Sequence, residues 1–101
     1  MKPLHTEATD NLFNAILQLQ TKEECYAFFE DVCTIKELQD LAQRFEVANL
    51  LSEGQSYLQI SAKTGASTAT IGRVNKCLNY GSGGYEIALK KTGKIKEGPK
   101  S

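Results

Sequence analysis

Residues 56–79, SYLQISAKTGASTATIGRVNKCLN, read as two short helices joined by a tight turn, with the rest of the 101-residue chain arranged around them. Ser56-Tyr57-Leu58-Gln59 has the form of a capping box, in which the Ser hydroxyl and the Gln amide each satisfy a backbone N–H left free at a helix start. Gly65 follows Lys63-Thr64, where the first helix must stop and the chain must take a positive φ that glycine adopts without a Cβ clash. Ser67 is the next natural N-cap, and Ile71, Val74 and Leu78 then recur at a helical interval. The second helix is therefore expected to bury that side and to present Thr68, Ala69, Thr70, Gly72, Arg73 and Lys76. A helix enters the major groove of DNA only if its leading residues are small, with hydroxyl and guanidinium groups available for bases and phosphates. Ser67, Thr68, Ala69, Thr70, Gly72, Arg73 and Lys76 are accordingly the candidate DNA-binding residues.

On the N-terminal side, Thr34-Ile35-Lys36-Glu37 is another capping box. It opens the longest predicted helix, whose stripe of Leu38, Leu41, Ala42, Phe45, Ala48 and Leu51 runs to Ser52, with Gly54 closing it. Only Gln55 then separates this helix from the Ser56 cap, so it should brace the helix-turn-helix directly. Further back, Thr21-Lys22-Glu23-Glu24 caps a helix with Cys25, Phe28, Phe29 and Val32 on one face, and Asp10 is expected to cap a helix to about Gln20. Leu12, Phe13, Ile16, Leu17 and Leu19 make that helix apolar over more than a single stripe, so it needs more than one partner. Residues 1–9 are expected to be a flexible arm, with His5 on the surface.

On the C-terminal side, Tyr80-Gly81-Ser82-Gly83-Gly84 must break the helix and reads as a hinge. The Lys-Ser/Thr of a phosphate loop does not follow it. Tyr85 to Lys90 can form a short helix packing Ile87 and Leu89, and residues 91–101 read as a basic flexible tail. No segment alternates with period two, so the expected fold is all-α, five or six helices in one domain over residues 10–90.

The formal net charge is zero, which by itself argues against a polyanionic partner. The average conceals an asymmetry. Residues 1–53 carry four cations against ten carboxylates, a net −6, whereas residues 54–101 carry eight against two, a net +6. The helix-turn-helix half is thus the one suited to face a polyanion. Cys25, Cys33 and Cys77 form no C-x-x-C pair, so neither a disulfide framework nor a zinc site is indicated, and one His without neighbouring ligands makes no metal site. No Ser/His or Cys/His arrangement suggests catalysis, so no enzyme is expected. With no apolar leader and no run long enough for a membrane span, a cytoplasmic location is expected.

These residues resemble the tryptophan-repressor superfamily, and within it the Trp-repressor-related (YerC/YecD-like) branch. The resemblance spans roughly Leu12 to Leu89. It is carried by Thr34-Ile35-Lys36-Glu37-Leu38, Gln43-Arg44-Phe45-Glu46-Val47, Ser67-Thr68-Ala69-Thr70-Ile71-Gly72-Arg73-Val74 and Leu78-Asn79-Tyr80-Gly81-Ser82-Gly83-Gly84-Tyr85. It implies an intertwined homodimer and DNA reading by the helices from Tyr57 and from Thr68. It also implies a small-molecule corepressor pocket at Thr34, Arg44 and Arg73, the positions matching a Thr and two Arg that hold the corepressor in the founding repressor. Val74 stands where that repressor has Gly, and Cys77 where it has Ser. A valine side chain in a slot shaped for a flat indole overpacks it by about 1–3 kcal/mol, which argues against tryptophan as the ligand. The same three residues have plainer uses: Thr34 as an N-cap, Arg44 pairing with Asp40, Arg73 contacting phosphate.

The function these features point to is a sequence-specific DNA-binding transcriptional regulator, a repressor, acting on double-stranded DNA as a homodimer. The alternative is a helical protein-interaction module that retains the helix-turn-helix only as scaffold.

Overall fold

The computed structural model describes residues 3–94, and among them six α-helices and no strand. These are α1 (Glu7–Leu17), α2 (Lys22–Val32), α3 (Ile35–Ser52), α4 (Tyr57–Thr64), α5 (Thr68–Tyr80) and α6 (Gly84–Lys91). The expected all-α architecture is the one observed. Residues 95–101, most of the expected basic tail, lie outside the described residues.

Local chemistry sets most helix boundaries. The Thr34 box is complete: the Glu37 N–H donates to Thr34 Oγ1 at 3.0 Å, and the Thr34 N–H donates to Glu37 Oε1 at 2.8 Å. The Ser56 box is equally complete, with bonds of 3.1 and 2.8 Å to and from Gln59. In α2 the Glu24 N–H donates to Thr21 Oγ1, while the Glu24 carboxylate reaches one residue further back, to the Gln20 N–H at 2.8 Å. At the end of α3 the Gly54 N–H bonds the Leu51 carbonyl and the Gln55 N–H bonds the Leu50 carbonyl, the paired bonds of a Schellman stop.

The first helix departs from expectation. It begins at Glu7, not after Asp10, because Thr6 Oγ1 accepts the Thr9 N–H at 3.1 Å and so supplies the cap earlier in the chain. Asp10 lies within the first turn, where a carboxylate favours the positive end of the helix dipole. The helix also stops sooner, at Leu17.

The described residues divide into two compact units, 3–38 and 39–94. In the first, neither α1 nor α2 has a buried residue. Leu12, Phe13, Leu17, Tyr26 and Val32 are exposed, and the Phe28 and Phe29 rings meet edge to face with centroids 5.3 Å apart. The unit shows much apolar surface and no interior of its own.

The second unit contains the core: Val47, Ala48, Leu50, Ile60, Ala66, Ile71, Val74 and Leu89, with Phe45, Leu51, Leu78 and Tyr85 packed against it. Two expectations are corrected here. Leu41, read as part of the α3 stripe, is 42% exposed, whereas Val47, off that stripe, is fully buried. The C-terminal half of α3 is covered on more than one face, which a single-stripe reading misses. Likewise Leu89 of α6 is fully buried but Ile87 is 56% exposed. Tyr85 and Ala88, half-buried, share the packing side with Leu89 at helical spacing.

Between α5 and α6, Gly81 is sterically required. A Cβ at this position would run into the Cys77 carbonyl oxygen, which already accepts the Gly81 N–H at 2.8 Å. Gly81→Ala is expected to destabilise the protein by about 1–3 kcal/mol, measured by urea denaturation. An unchanged midpoint would mean the turn can open without loss.

Candidate nucleic-acid interface

The two helices of the corner are joined by a turn held by several hydrogen bonds. Gly65 takes φ +75°, and its N–H donates to the Ser61 carbonyl. The Thr64 hydroxyl donates to the Ile60 carbonyl at 2.8 Å and accepts the Ala66 N–H at 3.1 Å, while the Thr64 carbonyl accepts Gln43 Nε2 of α3 at 3.1 Å. Ala66 and Ile60 are buried beneath the turn, so α4 and α5 form a pair of fixed geometry.

Ser67 caps α5 as expected, its Oγ accepting the Thr70 N–H at 3.1 Å. Ile71 and Val74 are buried and Leu78 half-buried, which leaves the other side of the helix outward. Thr68, Ala69, Arg73 and Lys76 are exposed there, with Gly72 half-buried among them. The structure therefore brings five of the seven candidate residues onto one strip. Ser67 and Thr70 contribute differently: their hydroxyls lie 3.2 Å apart and bond to each other, and Thr70 is half-buried to the side. Their part is to hold the helix start, where the first N–H groups and the helix dipole suit a phosphate.

Two further residues lie on this surface outside the seven candidates. Tyr80 is 84% exposed and continues the four-residue interval Thr68, Gly72, Lys76 across the strip. Extending that interval to the glycines would have found it. Lys63, exposed in the last turn of α4, adds a cation to the same pair of helices.

Gly72 has no packing reason among the described residues, since a Cβ there would meet nothing within 4 Å. Glycine in a helix interior costs about 1 kcal/mol relative to alanine. Gly72→Ala is thus expected to raise stability, with Tm up by about 4–8 °C for a domain of this size. A lowered Tm would show that the added methyl is occluded in the assembled protein.

The residues matching the corepressor contacts have individual settings. The Thr34 hydroxyl is engaged in its capping box, Arg44 is half-buried on α3, and Arg73 is exposed on α5. Val74 belongs to the core, 1% exposed. Cys77 is an exposed free thiol on the rim of an apolar cleft of about 510 Å³, lined also by Phe45, Gly81, Ser82, Tyr85 and Ala88. Among the described residues no group of three or more His, Cys, Asp or Glu could hold a metal, and no helix is long and apolar enough to cross a membrane.

The family model of the Trp repressor protein matches residues 7–93, nearly the whole described chain. The chain belongs to the Trp repressor family. Within the family it is 59% identical over 86 residues to YerC of Bacillus subtilis (strain 168), itself uncharacterized, across 85% of this chain and 83% of that one. The solved structure of a TrpR-like protein from Eubacterium eligens ATCC 27750 is 54% identical and superposes with a TM-score of 0.88, covering 93% of this chain and 97% of the other. A Staphylococcus aureus protein described as a candidate Trp repressor gives the same TM-score at 44% identity, covering 93% and 94%. The Trp repressor family assignment thus rests on sequence and fold together.

Proposed function

We propose that the protein is a sequence-specific DNA-binding transcriptional repressor of the cytoplasm, acting as a homodimer, and has no catalytic activity. The observation that carries this reading is the outward strip of α5. Small residues lead at Thr68, Ala69 and Gly72, and cations follow at Arg73 and Lys76, on a helix whose other side is locked into the core. At 1.5 Å per residue α5 is about 20 Å long, enough to lie in a major groove about 12 Å wide. Thr68 and Ala69 reach base edges, and Arg73, Lys76 and the N–H groups after Ser67 hold phosphates.

Dimerisation is supported by the first unit, whose two amphipathic helices have no buried residue in the single chain. A twofold dimer would place two copies of α5 on half-sites one helical turn, ~34 Å, apart. DNA binding in this reading does not require tryptophan, because Val74, which stands where the founding repressor has a slot-lining Gly, is held in the core.

The test is selection of bound duplexes from a random pool by the purified protein, with and without tryptophan. A palindrome enriched equally in both arms is the expected result. Enrichment only with tryptophan would restore that amino acid as ligand. Absence of enrichment under either condition, with apolar partners retained instead, would favour an interaction module built on a helix-turn-helix scaffold.

A further inference from the structure

The bond from Gln43 Nε2 to the Thr64 carbonyl joins residues 21 apart in sequence, and it is part-buried. Its surroundings give it leverage. The backbones of α4 and α5, and of α5 and α6, approach one another closely, whereas α3 joins them through the side chains of Val47, Ala48 and Leu50. Where α3 passes the end of α4, the two are separated by an open groove of about 300 Å³ lined by Ala42, Gln43, Glu46, Lys63 and Thr64. Gln43 spans that groove and lands on the last residue of α4, one position before the left-handed Gly65.

Val47 and Ala48 of α3 share one apolar core with Ile60, Ala66 and Ile71. Such contact is non-directional and tolerates a change of tilt, whereas a hydrogen bond weakens steeply as its angle departs from linear. The Thr64 carbonyl is also one of the acceptors that a helix end leaves without an intrahelical partner. A donor from α3 at that point satisfies the acceptor and fixes the angle of the helix pair in one step.

We propose that Gln43 is a positioning residue for DNA reading: its amide sets the orientation of α4 and α5 against α3, and so the depth and angle at which α5 meets the duplex. The inference rests on the DNA-binding function proposed above. It requires that specific binding, which depends on the pose of α5, be more sensitive to Gln43 than non-specific binding, which depends on charge.

Gln43→Met keeps the length of the side chain and removes the donor without adding charge. Gln43→Asn keeps the donor but is one methylene too short to reach Thr64. Gln43→Lys restores a donor of sufficient reach. Affinities for the selected palindrome and for a scrambled duplex are measured at low temperature, where circular dichroism shows each variant folded. The ratio of the two affinities is expected to fall about tenfold, the equivalent of one lost hydrogen bond, in Gln43→Met and Gln43→Asn. It should recover in Gln43→Lys, whose extra charge strengthens both duplexes alike. A ratio unchanged in Gln43→Met and Gln43→Asn, even with a lowered Tm, would reduce Gln43 to a structural role and leave the DNA-binding reading intact. A wild-type protein that does not distinguish the two duplexes would overturn both.

Discussion

Replacing Arg73 and Lys76 together by alanine is expected to weaken binding to every duplex and to flatten its salt dependence. Both side chains are exposed on the outward strip of α5, and among the described residues neither is paired with a carboxylate. Their charges are therefore available to phosphates. Each phosphate neutralised contributes about 0.9 to the slope of log K against log salt. Two residues in each of two subunits would contribute about 3.6. Over a fourfold rise in salt, the wild-type protein should then lose about a hundredfold more affinity than the variant. Base preference should persist, since Thr68 and Ala69 are untouched. A parallel slope for the two proteins would remove Arg73 and Lys76 from the interface.

In the proposed homodimer, Phe13→Glu is expected to separate the subunits and leave a poorly folded monomer. Phe13 is 53% exposed on α1, and no residue of α1 or α2 is buried within the single chain. A partner subunit would complete the interior that this unit lacks. A carboxylate buried in such an interface would have to be desolvated without a counter-ion, a penalty of several kcal/mol that a small domain cannot absorb. Sedimentation velocity and far-ultraviolet circular dichroism, recorded together, should show a lower mass and reduced helicity. A wild-type protein that already sediments as a monomer, or a variant that remains dimeric, would place the interface elsewhere.

What the sequence made legible was local. The boxes at Thr34 and Ser56, the cap at Ser67 and the turn at Gly65 each consist of residues within four positions of one another, and the structure forms all of them. The buried side of α5 followed from the spacing of Ile71, Val74 and Leu78 for the same reason. Errors arose where two local signals competed or where burial depended on distant segments. Thr6 and Asp10 can both cap a helix, and only the Thr6 hydroxyl is placed to receive the Thr9 N–H. Val47 and Ile87 were misjudged because periodicity identifies a face but not how many neighbours cover it. The bond from Gln43 to Thr64 left no trace in the sequence, since nothing in a pattern of residue types links positions so far apart.

The outward strip of α5 has a consequence for descent. Thr68 and Ala69 are exposed and contribute nothing to the core, whereas Ile71 and Val74 are buried in it. In the proposed DNA-reading role of α5, substitutions at the first group change what the helix can recognise at little cost in stability, and substitutions at the second do the reverse. Mutation can therefore explore new targets without first acquiring compensating changes in the core. Duplicated copies of such a gene could drift to different operators while sharing one scaffold.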